Sequence, residues 1–139
     1  MNLIHAEVKL INGYDLENAR RHIIGEEEVK RMDVTMLVDS GALMLCINEV
    51  IQEQLQFPVD EIRKAETADG RIVECDVVKG VELRFKNRKT TCRAMVLPGS
   101  SEPLLGAIPL EDMDVLIHPQ RQELIVNPEH PYFAQMKLK

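Results

Sequence analysis

A mostly-β barrel or folded sheet with one or two short helices is the fold class that this 139-residue chain predicts. Three observations point to it: apolar residues alternate at period two in most segments, turn signals recur at short spacing, and only brief stretches carry helical spacing behind a cap. The length fits one domain, residues 1–139, and a 45% hydrophobic composition supplies a core that needs no staples.

The first element is a half-buried strand, with Ile4, Ala6, Val8 and Leu10 on one face and His5, Glu7 and Lys9 on the other. Asn12-Gly13 breaks it, and Asp15 is expected to cap a short helix carrying Leu16, Ala19 and Ile23 and stopping at Gly25. After the solvated acidic run Glu26-Glu27-Glu28, Met32, Val34, Met36 and Val38 alternate into Asp39-Ser40-Gly41. A buried strand is expected at Leu43 to Ile47, then a helix capped by Asn48, carrying Val50, Ile51 and Leu55 and closed by Pro58. Asp69-Gly70 signals a two-residue hairpin turn. Beyond it, Ile72 to Val77, Val81 to Phe85 and Thr91 to Leu97 are strand-like, the last two joined at Lys86-Asn87-Arg88, and Pro98-Gly99-Ser100-Ser101 ends that pair. Leu104-Leu105-Gly106, a short helix from Leu110 to Met113, strands at Val115 to Ile117 and Glu123 to Val126, and an irregular tail after Pro128 complete the chain.

Charge narrows the function. Seventeen Lys and Arg against 23 Asp and Glu leave a net charge of −6, which opposes binding to a phosphate backbone, so no nucleic-acid partner is expected. No run approaches the ~20 apolar residues of a membrane helix, and no basic start with an apolar stretch marks a secretory signal, so a cytoplasmic address is expected. Cys46, Cys75 and Cys92 are odd in number, widely spaced and set in apolar strands, which suits reduced core thiols. His5, His22, His118 and His130 are scattered, so neither a metal site nor a cofactor is expected. Gly99-Ser100-Ser101 lacks the spacing of a phosphate loop, and Asp112 and Asp114 suit caps and surface positions.

The residue that demands a chemical reason is Asp39, an acid at a sharp loop between Met36-Leu37-Val38 and Leu43-Met44-Leu45. In isolation the triplet is a turn in which Asp39 bonds its own backbone and Gly41 supplies a positive φ. It is not isolated. An Asp-Gly hairpin tip follows at Ala68-Asp69-Gly70, and Leu104-Leu105-Gly106 follows that, before a helix.

In this order, and most closely at Leu37-Val38-Asp39-Ser40-Gly41-Ala42 and Leu104-Leu105-Gly106-Ala107-Ile108-Pro109-Leu110-Glu111, the sequence resembles the retropepsin-like aspartic proteases, including small single-motif bacterial members. The resemblance covers roughly Val29 to Val126. Leu43 stands where the viral enzymes often carry a polar residue, Ala107 where they carry an Arg, and the 12–28 segment is longer than theirs.

The resemblance implies an acid-protease barrel with one lobe per chain and an endopeptidase that acts on peptides or proteins. Asp39 would be catalytic, Ser40, Gly41 and Ala42 would support its loop, Ala68, Asp69 and Gly70 would form a flap, and Leu105 and Gly106 would pack beneath the loop. Such hydrolysis uses two carboxylates sharing one proton, one activating water while the other polarises the scissile carbonyl. Two like charges ~3 Å apart cannot both ionise easily, which favours an acidic working range. One triplet per chain therefore implies a homodimer with both Asp39 residues at the axis. The resemblance also points to Ile4 to Leu10 or Glu123 to Val126 as interface strands. The rival expectation is a noncatalytic dimeric peptide-binding or adaptor module on the same barrel.

Overall fold

The computed structural model describes residues 3–138. Nine strands and three α-helices follow in the order β1 (His5–Asn12), α1 (Gly13–Arg20), β2 (Arg31–Val38), β3 (Leu45–Asn48), α2 (Glu49–Leu55), β4 (Val59–Glu66), β5 (Ile72–Phe85), β6 (Arg88–Leu97), β7 (Leu104–Leu105), α3 (Ala107–Met113), β8 (Val115–His118) and β9 (Glu123–Val126). Seven strands form one mixed sheet in the order β1-β2-β7-β3-β6-β5-β4, and a further β1–β5 pairing closes six of them into a ring. This is the mostly-β, retropepsin-like barrel that the resemblance implies. The inward residues of the alternating strands fill the ring: Leu10, Met36, Leu45, Leu83 and Leu105 are fully buried there, with Met113 of α3 closing one end.

Several elements differ from the sequence expectation, each for a local reason. Helix α1 is capped by Asn12, whose side-chain oxygen accepts the N–H groups of Tyr14 and Asp15 at 3.1 and 3.2 Å. Asp15 instead accepts the Lys30 N–H at 3.0 Å and pairs with the Lys30 ammonium at 2.9 Å, tying the helix to the entrance of β2. The helix stops at Arg20 rather than near Gly25, with His22 at φ 60° just beyond it, and Ile23 lies outside the helix in solvent. Strand β3 starts at Leu45 because the carbonyl of Leu43 is taken by the Ile108 N–H at 2.9 Å, which leaves Leu43 in the loop and exposed. Helix α3 begins three residues before Leu110. Pro109 falls within its first turn, where a missing N–H costs no intrahelical bond.

The stretches Ile72 to Val77 and Val81 to Phe85 are one bent strand, β5, with its register shifted between Val78 and Val81. Gly80 sits at that shift with φ 73°, and a Cβ there would overlap the Tyr14 ring of α1. The bend lets one strand pair with β4 at its start and β1 at its end. Asn48 caps α2 as expected, accepting the Ile51 N–H at 2.9 Å, and its amide donates to the Ser101 carbonyl at 2.8 Å.

Strands β8 and β9 form a separate two-stranded ribbon, and beyond it the tail has no helix or strand through residue 138. The tail is nonetheless fastened. Asp114, the left-handed C-cap of α3, accepts from the Asn127 side chain and the Gln135 N–H, both at 3.0 Å, and its other carboxylate contact is His130 Nδ1 at 2.6 Å. Buried Arg88 donates to the His130 carbonyl, and Asn87 donates to that of Pro131 at 2.9 Å.

The bond from Asn127, then those from Gln135 and His130, hold the Asp114 carboxyl below the usual carboxylate range. A folded-state pKa below the unfolded value of ~3.9 means that the contribution is complete at neutral pH and is lost as pH falls through the folded value. Amide-exchange protection at Gln135 is therefore expected to persist at pH 6, to fall below about pH 4, and to be absent at all pH values in Asp114→Ala. Protection retained in that variant would show that Arg88 and Asn87 suffice to hold the tail.

Candidate active site

Asp39 is placed by two strands that are distant in sequence. β2 delivers it to the end of the sheet, and β7 lies parallel to β2, so that the Asp39 N–H donates to the Leu105 carbonyl at 3.1 Å. On its other side β7 runs antiparallel to β3, with Leu104 opposite Cys46. The two-residue strand is thus wedged between the strand that enters the loop and the one that leaves it.

Gly106 explains how close this wedge is. A Cβ there would overlap the Met44 carbonyl oxygen and lie 2.8 Å from that of Ala42. Just beyond it, the Ala107 and Ile108 N–H groups, at the start of α3, donate to the carbonyls of Ala42 and Leu43 at 2.8 and 2.9 Å. Those two N–H groups have no intrahelical acceptor, so the helix start and the loop satisfy each other. Ala107 and Ile108 thus hold the loop through their N–H groups, a role that the sequence, where they appear only within the Leu104–Glu111 motif, did not assign to them. The signal was present in the apolar-apolar-Gly motif running straight into a helix.

Within the loop, Asp39 Oδ1 accepts the Gly41 N–H at 3.0 Å and the Asp39 carbonyl accepts that of Ala42 at 3.1 Å. Asp39 is half-buried, Ser40 and Gly41 are exposed, and Ala42 is half-buried. Gly41 does not adopt the expected positive φ. A Cβ there would stand 3.2 Å from Asp39 Oδ1, so glycine leaves the carboxylate uncrowded. Leu105 and Gly106 are buried beneath the loop. Burial, then the nearby Cys75 thiol and the Asp39 carboxylate, push the Cys46 thiol up to about 11. Cys75 is raised mainly by burial, and burial followed by Asp112 pushes Cys92 up to about 12, so all three thiols stay protonated at neutral pH.

The β4–β5 hairpin projects from the ring, with nearly all of β4 exposed. Its tip is a three-residue loop, Ala68-Asp69-Gly70, and not a two-residue turn. Thr67 donates its N–H to the Arg71 carbonyl at 2.8 Å, Gly70 donates to the Thr67 carbonyl at 2.9 Å, and Gly70 takes φ 86°. The Asp69 carboxylate binds the Thr67 hydroxyl and accepts from Arg71 Nε at 2.9 Å; the Thr67 bond first, then those from Arg71, hold its carboxyl below the usual range. The tip is exposed but internally ordered.

The sequence matches the model of a family described as aspartyl protease over residues 25–123, more than half of the chain. The chain belongs to the aspartyl protease family. No match to a curated protein was found. The matched region runs from before β2 to the start of β9, and so takes in the Asp39 loop, the hairpin and the β7–α3 wedge of this aspartyl protease family member. Among its described residues, no group of three or more His, Cys, Asp or Glu is placed to hold a metal ion, and no helix is long and apolar enough to cross a membrane.

Proposed function

We propose that the protein is an aspartic endopeptidase that works as a homodimer, with Asp39 of each subunit sharing a proton across the two-fold axis. The observation that carries this reading is the Asp39 loop held by β7 and α3, in a family member that has one Asp-Ser-Gly triplet. One carboxylate would take a proton from water while the other, protonated, donates to the scissile carbonyl oxygen. Collapse of the tetrahedral intermediate would pass a proton to the leaving nitrogen. Ser40 would steady the paired loops, and the hairpin tip at Ala68-Asp69-Gly70 would close over a peptide bound as an added strand.

The surface suited to the second copy adjoins Ser40. A cleft of about 240 Å³ is bounded by Leu110, Val115, Leu116, Ile117 and Leu124, with Ser40 and Glu111 as its polar lining. Leu116 and Ile117 of β8 are 38% and 40% exposed, on a two-stranded ribbon too small to be stable by itself. Of the two interface strands expected from the resemblance, Glu123 to Val126 belongs to this ribbon, whereas β1 is engaged by β2 along its length and by β5 over Lys9–Asn12. Leu116→Glu with Ile117→Glu is expected to weaken dimerisation by at least about 100-fold, since each charge would be buried unpaired at the contact. Sedimentation equilibrium would show the monomer mass with cleavage lost in parallel; an unchanged dimer would move the interface elsewhere.

The direct test is cleavage of a diverse peptide library from pH 4 to 8 with the dimer mass measured alongside. Hydrolysis favoured at acid pH supports the peptidase. A folded dimer that binds peptides and cuts none would support the noncatalytic module.

A further inference from the structure

Two arginines line a cleft beside the chain that leaves the Asp39 loop. Glu61 bridges Arg63 of β4 and Arg93 of β6, its Oε1 accepting Arg63 Nη2 at 2.5 Å and Arg93 Nη1 at 2.8 Å, and Asp60 is a second counter-ion of Arg93, with Oδ2 3.4 Å from that same nitrogen. Both guanidiniums are more than 40% exposed on their side chains. They rim a cleft of about 220 Å³ with Leu43, Met44, Cys92 and Ile108 among its apolar lining. Cys92 is a protonated thiol there and brings no negative charge.

Leu43 and Met44 leave the Asp39 loop directly, while Arg63 rides on the arm of the hairpin. Arg63 Nη1 reaches Met44 Sδ at 3.7 Å, so this side chain spans the gap between hairpin arm and loop. A thioether is a weak acceptor, and a carboxylate oxygen would displace it readily. Glu61 serves both guanidiniums through one oxygen, which leaves each with further N–H groups for a planar anion.

We propose that this cleft is a specificity subsite that selects an acidic side chain in the peptide substrate, held by Arg63 and Arg93 over the apolar floor. The inference rests on the peptidase reading above. Four residues of chain from Asp39 to Leu43 reach at most ~14 Å, so the selected residue lies within about four positions of the scissile bond. By two-fold symmetry the dimer carries one such subsite at each end of the cleft.

The test is a peptide set in which each position within about four residues of the cut carries Glu or Gln, each made with a free and an amidated C-terminus. Wild type is expected to favour Glu over Gln by about tenfold in kcat/KM at one position on a given side, the size of a partly exposed charge-assisted bond. Arg63→Gln and Arg93→Gln should each bring that ratio towards one, and Arg63→Lys should keep part of it. The ratio is read within each variant, so a general loss of rate does not affect it. Should either Gln variant fail to fold, the wild-type ratio and the binding measurement below still decide.

Binding of the same peptide pairs to Asp39→Asn separates the two possible failures. Cleavage with Glu and Gln equal at every position overturns the subsite and leaves the peptidase standing. Tighter binding of the Glu peptide with no peptide cut by wild type overturns the peptidase and keeps the subsite. A preference confined to the free over the amidated C-terminus overturns selection of a side chain.

Discussion

Asp39→Asn is expected to abolish peptide cleavage, lowering kcat/KM by about 10²–10⁴-fold or more, with the fold and the mass of the proposed dimer retained. The substitution is nearly isosteric, and the amide oxygen can still accept the Gly41 N–H that now bonds Oδ1. What it removes is the ability to take and return a proton. Mixing subunits makes the expectation sharper. With equal amounts of wild type and Asp39→Asn and free exchange, about one quarter of the dimers carry two aspartates, so activity per total protein falls to about a quarter of that of pure wild type. A fall to one half would mean that each subunit acts alone, and equal residual cleavage by the pure variant would point to a different catalytic group.

Gly106→Ala is expected to be the most damaging single-methyl change for the fold. Its Cβ meets main-chain carbonyl oxygens of Met44 and Ala42, which have no rotamer by which to withdraw. Either β7 shifts out from between β2 and β3, or the Ala42–Met44 loop is pushed away from α3. The cost should be about 3 kcal/mol or more, lowering the thermal midpoint by roughly 10 °C. Because Leu105 beside it holds the Asp39 N–H, any folded fraction should also lose activity. A midpoint within about 2 °C of wild type would show that the wedge is looser than these contacts indicate.

Much of the fold was legible because the period-two pattern is long and clean where one face is buried. His5–Asn12 and Arg31–Val38 alternate in this way, as does β6 from Thr91, although that strand already begins at Arg88, which the sequence places in a turn, and Asn48 announces the α2 helix by its capping chemistry. The pattern failed where a long-range partner outweighed local preference. Leu43 is as apolar as a strand residue, but its carbonyl serves Ile108. Asp15 is a good cap, but Asn12 caps the helix three residues earlier and Asp15 is drawn to Lys30. The helix expected from Leu110 begins at Ala107, with Pro109 in its first turn, where proline is harmless. Asp114, expected to be a cap and surface residue, is also the anchor of the tail, and only folding brings Asn127, His130 and Gln135 to it.

The chemical content of the site resides in the sequence. A single Asp-Ser-Gly triplet, a hairpin tip and a Leu-Leu-Gly motif single out the carboxylate proposed to be catalytic, the loop proposed to cover it and the segment that packs beneath, because these depend on residue type and chain order. Position was decided by the tertiary structure. Backbone hydrogen bonds and close contacts between segments more than 60 residues apart put Leu105 against Asp39, Gly106 against Met44, and the start of α3 under the loop. Strand pairing likewise brings Arg93 of β6 to Glu61 and Arg63 of β4, and folding forms the cleft beside Ser40. No local pattern encodes them, because each forms only after distant strands close the ring.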